Sequence, residues 1–248
     1  MQEKEAGGRK TKKILDLLYP PVCPFCGKIL NGAEKSGERG ICFSCSGKLP
    51  YVEEPCCMKC GKPLREEERE YCADCARHEL AFDQGRSLYL HTALVQRAIY
   101  QFKFHNKRYY AEIFAREMAS RYGKWIRRWE IEEIVPVPLH PSRKRTRGFN
   151  QAELLAKALG ELSGIPVEPK AVRRIRKTKY QKQLDDAGRR QNLKGAFSVV
   201  PGWKPKRCIL VVDDIYTTGN TIHRTAEALK KAGVQKVYFL TISIGQGL

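Results

Sequence analysis

The sequence has no long apolar run. Its uninterrupted hydrophobic stretches are short, as in Cys208–Val212, and none approaches the ~20 residues of a membrane-spanning helix. It also lacks a legible secretion signal. Met1–Lys13 is polar, and the run from Ile14 to Tyr19 contains Asp16 and stops at Pro20-Pro21. No Walker A pattern occurs, which disfavours a P-loop ATPase. Acidic residues are scarce: 27 Asp and Glu stand against 46 Lys and Arg, a formal charge of +19. An imbalance of that size speaks of partners rather than of fold, and polyanions or phosphorylated small molecules come first. The absences together lead to the expectation of a cytoplasmic protein without a transmembrane segment.

What remains is enough for a core. With 248 residues and 42% hydrophobic composition, one domain of about 170–190 residues plus a small module fits best, and a wholly disordered chain is excluded. Cysteine marks the module: nine of the ten Cys lie in residues 23–75, with Cys208 alone outside. Eight form the C-x-x-C pairs Cys23/Cys26, Cys42/Cys45, Cys57/Cys60 and Cys72/Cys75. In an intracellular chain paired Cys read as metal ligands before disulfides. A two-residue gap lets both sulfurs reach one tetrahedral ion, and four thiolates suit a closed, structural Zn²⁺ site. Gly27 and Gly61 follow the second Cys of their pairs, where a metal knuckle bends tightly. The halves "CPFCGKIL…CFSC" and "CMKCGKPL…CADC" look like repeats, predicting about two Zn²⁺ in successive four-Cys units, with a cross-braced pairing left open. Bound zinc would bring +19 to about +15, still strongly basic. Cys56 is a spare beside Cys57 and competes with it as a ligand. An iron–sulfur centre is the alternative metal reading, and a redox C-x-x-C is disfavoured because four pairs exceed what it needs. The metals either hold together a segment too small for its own core or present a face to nucleic acid or protein. Glu66, Glu67, Glu68 and Glu70 argue against the entire module being a DNA surface.

Residues from about 82 onward alternate strand and helix patterns. Arg86–His91 reads as a strand. Leu94, Val95, Ala98, Ile99 and Phe102 mark one helix face, and Tyr110, Phe114 and Met118 another. The segment Lys103–Arg108 between them is basic and polar, either a solvated loop or an anion contact. Ile134–Val137 reads as a strand, followed by a basic loop, Leu139–Phe149, with Arg143, Lys144, Arg145 and Arg147 around one Gly. Ala152, Leu155, Leu159 and Leu162 then mark a helix. Strand, basic loop and helix is how α/β proteins hold phosphate. Residues 170–194 carry ten Lys or Arg and few apolar residues, an excursion before a strand at Ala196–Val200.

The sharpest stretch runs from Cys208 to Thr221. Ile209–Val212 is a continuous apolar run, as a buried parallel strand requires, and Asp213 and Asp214 stand at its C-terminal end, the ligand-binding edge of such sheets. Thr217, Thr218, Gly219, Asn220 and Thr221 form a small-residue loop before a helix on Ile222, Ala226 and Leu229, and Val237–Ile244 is a last strand. Backbone N–H groups and Thr hydroxyls there suit a phosphate monoester, and adjacent carboxylates suit a vicinal diol, which together describe a ribose 5-phosphate holder. The basic loop would take a diphosphate, and Mg²⁺ would offset crowding of like charges. A receiver domain also ends its first strand in paired Asp but needs roughly 110 further residues, where about 35 remain.

The segment Val211–Thr221 resembles the phosphoribosyl-diphosphate (PRPP) loop of type I phosphoribosyltransferases. More broadly the chain resembles the ComF family of competence proteins, in particular its ComFC members. The landmarks are the four C-x-x-C pairs, Ile134-Val-Pro-Val-Pro-Leu-His140, Arg147-Gly-Phe-Asn-Gln151, Thr178-x-x-Gln181, Asn192-Leu-Lys-Gly-Ala-Phe197 and the PRPP loop, from about residue 14 to the end. The resemblance implies an α/β fold: a type I phosphoribosyltransferase-like parallel sheet flanked by helices, with a short hood. Its organisation would be an extension at 1–19, a double zinc ribbon at 20–80 and the phosphoribosyltransferase-like domain at 81–248. It implies Asp213 and Asp214 at the ribose hydroxyls, Thr217–Thr221 at the 5-phosphate, and Arg147 as the main diphosphate contact with Arg143 and Arg145 beside it. Arg176, Lys179, Gln181 and Arg189 would belong to a flexible loop that closes over the site. Tyr216 and Asn220 depart from the family pattern, which has smaller residues there. The implied ligands are PRPP with Mg²⁺, single-stranded DNA and other DNA-uptake proteins. Arg and Lys of 97–128 and 170–194 would follow a phosphate backbone, with Tyr109, Tyr110, Trp125 and Trp129 either as stacking faces or, the favoured reading, as core packing. The alternative function is a catalytically inactive single-stranded-DNA-binding factor that keeps the PRPP site as a sensor or relic.

Overall fold

The computed structural model describes residues 20–30, 40–66, 68–175, 193 and 195–245. The chain forms two compact units, Met1–Leu49 and Pro50–Leu248. Each contains one four-Cys repeat, so the second repeat belongs to the same unit as the α/β domain.

Within the second unit, a parallel sheet is built from β1 (Gln84–Leu90), β2 (Glu133–Pro136), β5 (Cys208–Tyr216) and β6 (Lys236–Ile244), in the order β1-β6-β5-β2. The two central strands are the most apolar, as burial on both faces demands. The register sets Val212 opposite Leu240 and Asp213 opposite Thr241. A separate antiparallel pair joins β3 (Val172–Arg174) to β4 (Phe197–Val199).

Helix α3 (Ala93–Phe104) buries Val95, Ala98, Ile99 and Phe102, the three-and-four spacing read from the sequence. Helix α4 (Tyr110–Arg128) packs on α6 (Gln151–Ser163). Helix α6 buries Ala152, Leu155 and Leu159, whereas Leu162, expected on that face, is 50% exposed. Asn150 caps α6, accepting from the Ala152 N–H at 3.2 Å, and its amide donates to the Val137 carbonyl at 3.0 Å. That clamp ties the helix start to the end of β2.

Helix α7 (Asn220–Lys231) buries Ile222, Ala226 and Leu229 in a core that also holds Ile209, Val211 and Phe239 of the sheet. Cys57, Cys60 and Cys72 belong to this same core. The second four-Cys repeat therefore covers apolar surface of the α/β domain as well as gathering its sulfurs.

The packing is tight at the centre of that core. Phe239 stacks on Tyr216 with centroids 4.9 Å apart and planes 4° from parallel, and Phe82 meets Phe239 edge-on at 4.9 Å. Gly85 allows this, since a Cβ there would lie 2.1 Å from Phe239 Cε1. Gly85→Ala should therefore push the ring towards Tyr216 and cost about 1–3 kcal/mol of stability. Urea unfolding is the check, with a lowered midpoint at unchanged slope expected.

Candidate functional site

The two four-Cys repeats fold alike. In the first, the Cys23 N–H donates to Lys28 O at 2.8 Å, and Gly27 closes the knuckle at φ +77°. In the second, Cys57 donates to Lys62 O at 2.8 Å, and Gly61 closes it at φ +71°. Each second C-x-x-C pair opens a short helix, α1 (Phe43–Ser46) and α2 (Ala73–Arg77), with Cys42 and Cys72 as N-caps. The sulfurs of Cys23, Cys26, Cys42 and Cys45 lie within 4.8 Å of one another, as do those of Cys57, Cys60, Cys72 and Cys75. This is the successive pairing, and the cross-braced one does not occur.

A tetrahedron with ~2.3 Å metal–sulfur bonds has edges of about 3.8 Å. The Cys26–Cys42 and Cys60–Cys72 sulfur separations are 3.6 and 3.7 Å, so both clusters fit structural zinc. Cys56 stands outside the second cluster. Its backbone bridges to Pro63, and burial pushes its thiol up to about 12.

The strand expected to stop at Val212 runs on to Tyr216 against β6, so the carboxylates sit within β5, just past its last pairing with β2. The Asp214 N–H donates to Asp213 Oδ1 at 2.8 Å. Burial, then the neighbouring Asp214, pushes the Asp213 carboxyl up to about 7. Asp214 Oδ2 is 2.8 Å from Lys103 Nζ. The basic segment after α3 was legible, but this partner, from a residue more than a hundred positions away, was not.

The loop beyond β5 turns at Gly219, φ +74°, which is the N-cap of α7 and offers no side chain to its first N–H groups. A Cβ on Gly219 would lie 2.3 Å from Tyr216 Oη, so only glycine fits over that ring. Asn220 is buried and donates to Thr218 Oγ1 at 2.9 Å, while Thr217 is exposed. Tyr216 points the other way, into the second four-Cys cluster. Burial raises its hydroxyl far above the usual range, with the charges of Cys60, Cys75 and Cys72 and a hydrogen bond to Cys60 acting in the same sense. A second tie holds α7, where the Ala81 N–H donates to His223 Nδ1 at 2.9 Å.

The basic segment expected as a loop at 139–149 is largely helical. Helix α5 (Pro141–Arg147) is entered through His140, whose ring accepts from the Ser142 N–H, and is ended by Gly148 at φ +78°. Proline at its first position and glycine just past its last are helix signals that the density of cations obscured. Arg143 and Arg147, four apart, share one side of α5, and Arg145 is exposed on another. Arg147 donates to Gln151 Oε1 at 2.9 Å, and its guanidinium lies 4.8 Å from the Phe104 ring centre. Arg174 is a residue the sequence reading left among the general basic excursion. It is 8% exposed, and burial, then Arg143, lowers its guanidinium to about 10, with Asp213 opposing. Arg176, Lys179, Gln181 and Arg189 lie outside the described residues.

The rings weighed as stacking faces are mostly structural, as favoured. Tyr110 and Trp129 are buried, Trp129 stacking on Tyr238 at 4.7 Å. Trp125 is half-buried between Arg86 and Arg128. Tyr109 is half-buried against Tyr110. Among the described residues the exposed rings include Phe43, Tyr71, Tyr100 and Phe104, and the last two lie against each other on α3.

Residues 14–76 match the double zinc ribbon domain model, and residues 145–243 the phosphoribosyl transferase domain model. Competence protein F of Haemophilus influenzae is 33% identical over 209 residues, covering 81% of this chain and 88% of that protein. The chain belongs to the ComF family of competence proteins. Competence protein ComFC of Bacillus subtilis is 28% identical, covering 78% of this ComF chain and 79% of its own length. The DNA utilization protein YhgH of Escherichia coli K12 is 29% identical, covering 89% and 96%. Among the described residues of this ComF protein, no helix is long and apolar enough to cross a membrane.

Two measurements follow from this geometry. Metal analysis of protein purified without added metal should give about two zinc per chain, and a coloured iron protein without zinc would contradict the fit. Asp213 binds its proton more tightly folded than unfolded. Its contribution to stability is therefore complete below pH ~4 and is lost as pH rises towards 7. Asp213→Asn should gain on the wild type between pH 5 and 8, by an amount on the order of a few kcal/mol in chemical unfolding. A constant difference across that range would refute the raised carboxyl.

Proposed function

We propose that the α/β domain binds PRPP, and that this ligand serves the family's role in DNA uptake. The observation that carries the reading is the adjacency of three features. A carboxylate pair, Asp213 and Asp214, lies on the central strand β5 just past its last pairing with β2. A glycine-capped loop follows, leaving the first N–H groups of α7 without a side-chain cap. The arginines of α5 stand after the neighbouring strand β2.

Asp213 and Asp214 accept from the ribose 2- and 3-hydroxyls. The loop Thr217–Thr221 takes the 5-phosphate through backbone N–H groups and Thr hydroxyls, helped by the positive end of the α7 dipole. Arg147 and Arg143 hold the diphosphate. Arg147 is pre-aligned by Gln151 and Phe104, so little side-chain entropy remains to be lost. Arg145, exposed on another side of α5, acts through its charge. Mg²⁺, when bound with PRPP, neutralises the diphosphate oxygens.

Lys103 Nζ, 2.8 Å from Asp214 Oδ2, fixes where that carboxylate stands. In a transfer reaction a nucleophile displaces diphosphate from C1 through an oxocarbenium-like state. The arginines would stabilise the leaving group, and the adjacent carboxylates the positive ring. The same residues would serve a sensor that binds PRPP without turning it over. Single-stranded DNA in the cytoplasm is the proposed macromolecular partner, alongside other DNA-uptake proteins.

Calorimetric titration with PRPP and Mg²⁺ is the test, run on wild type and on the Asp213→Asn/Asp214→Asn double variant. Micromolar binding by the wild type and a loss of at least about tenfold in the variant are expected. No binding by the wild type would make the domain a relic of the enzyme fold.

A further inference from the structure

One turn of α3 carries two large rings that the core does not use. Tyr100 and Phe104 are 55% and 54% exposed, on a helix whose opposite face is buried. Their centroids are 4.9 Å apart and inclined by 43°, and the His105 ring lies 5.5 Å from Tyr100. Single exposed apolar residues need no explanation, but an adjacent aromatic pair does. The Arg147 guanidinium lies over Phe104, and Lys103, the residue before it, is ion-paired to Asp214. The pair therefore sits beside the carboxylates and arginines already described.

The surrounding charge restricts what could cover these rings. From Ala93 to Ala111 the chain has Arg97, Lys103, Lys107 and Arg108 and no acidic residue. A second copy of this chain would bring like charge against like. Every nucleobase has a π-face, and a phosphate backbone matches the cations.

We propose that Tyr100 and Phe104 form a stacking platform for unpaired bases of single-stranded DNA, with Arg147, Lys107 and Arg108 at the flanking phosphates. The strand then crosses the mouth of the sugar-phosphate site, a placement that rests on the PRPP reading above. The stacking itself stands on ring exposure and charge alone.

Fluorescence anisotropy with a short oligo-dT and an abasic strand of equal length tests this. Tyr100→Ala, which leaves the Phe104–Arg147 contact in place, should weaken oligo-dT binding about 10-fold and leave abasic-strand binding unchanged. The salt dependence should keep its slope, since no phosphate contact is removed. Tyr100→Phe should restore oligo-dT binding, which separates stacking from loss of fold. Equal losses on both strands, unchanged oligo-dT affinity, or no DNA binding by the wild type would overturn the proposal. So would a wild-type dimer in sedimentation that Tyr100→Ala converts to a monomer. Calorimetry of Tyr100→Ala with PRPP keeps the two readings apart: Tyr100 is not among the groups assigned to PRPP, so PRPP affinity should match the wild type, and absence of PRPP binding in both would fail the sugar-phosphate site alone.

Discussion

The Tyr216 side chain joins two structures that the sequence presents as separate motifs. Its ring is stacked on Phe239 in the core under the sheet, and its hydroxyl reaches Cys60 of the second four-Cys cluster. The turn at Gly219 rests on that hydroxyl. A buried phenol needs a hydrogen-bond partner, and a metal-bound thiolate is a strong one. The loop that leaves β5 thus has its path set from below by a ring that cannot move without disturbing the metal ligands. The tie between Ala81 and His223 repeats the coupling one helical turn later. An outer-shell hydrogen bond of this kind orients both partners, so the cluster and the loop form one rigid assembly.

The family resemblance implied a smaller or polar residue at position 216, and the bulky ring was legible as a departure that could alter the pocket. The structure gives it the opposite direction: the ring fills the space under the loop and leaves the ligand side open. On that ligand side the loop is shaped by Gly219, by the Asn220–Thr218 hydrogen bond and by the start of α7. Lys103 supplies the balancing charge at Asp214. The site is thus supported on one side by a metal knuckle and on the other by α3, two segments that flank β1 in the chain.

Much of this was readable from residues alone, because local signals dictate it. The apolar run at Ile209–Val212 could only be a buried strand, and the paired C-x-x-C spacing could only gather sulfurs. The repeat of "CGK" fixed two equivalent knuckles, which the matching hydrogen bonds at Cys23 and Cys57 reproduce. What stayed hidden was of two kinds. Some was masked by composition, as in α5, where the cations of a short helix looked like a solvated loop. The rest depended on contacts distant in sequence: Lys103 with Asp214, Tyr216 with Cys60, and Arg174 near Asp213. Periodicity reports that a side chain is buried or exposed but not which distant group it meets. Tyr110 and Trp129 serve the core, as favoured, whereas the exposure of Tyr100 and Phe104 on α3 was not read from the sequence.

The sharing of one core between Cys57, Cys60, Cys72 and the sheet has a consequence for how the protein divides. The chain looks modular, a ribbon followed by an enzyme-like domain, yet the seam at residue 80 runs through packed side chains. A fragment beginning after Leu80 would leave Phe82, Tyr216 and Phe239 facing water on the side that supports the loop. The two halves of the ribbon are consequently unequal in kind. The first lies in a compact unit of its own, and the second forms part of the wall of the α/β domain.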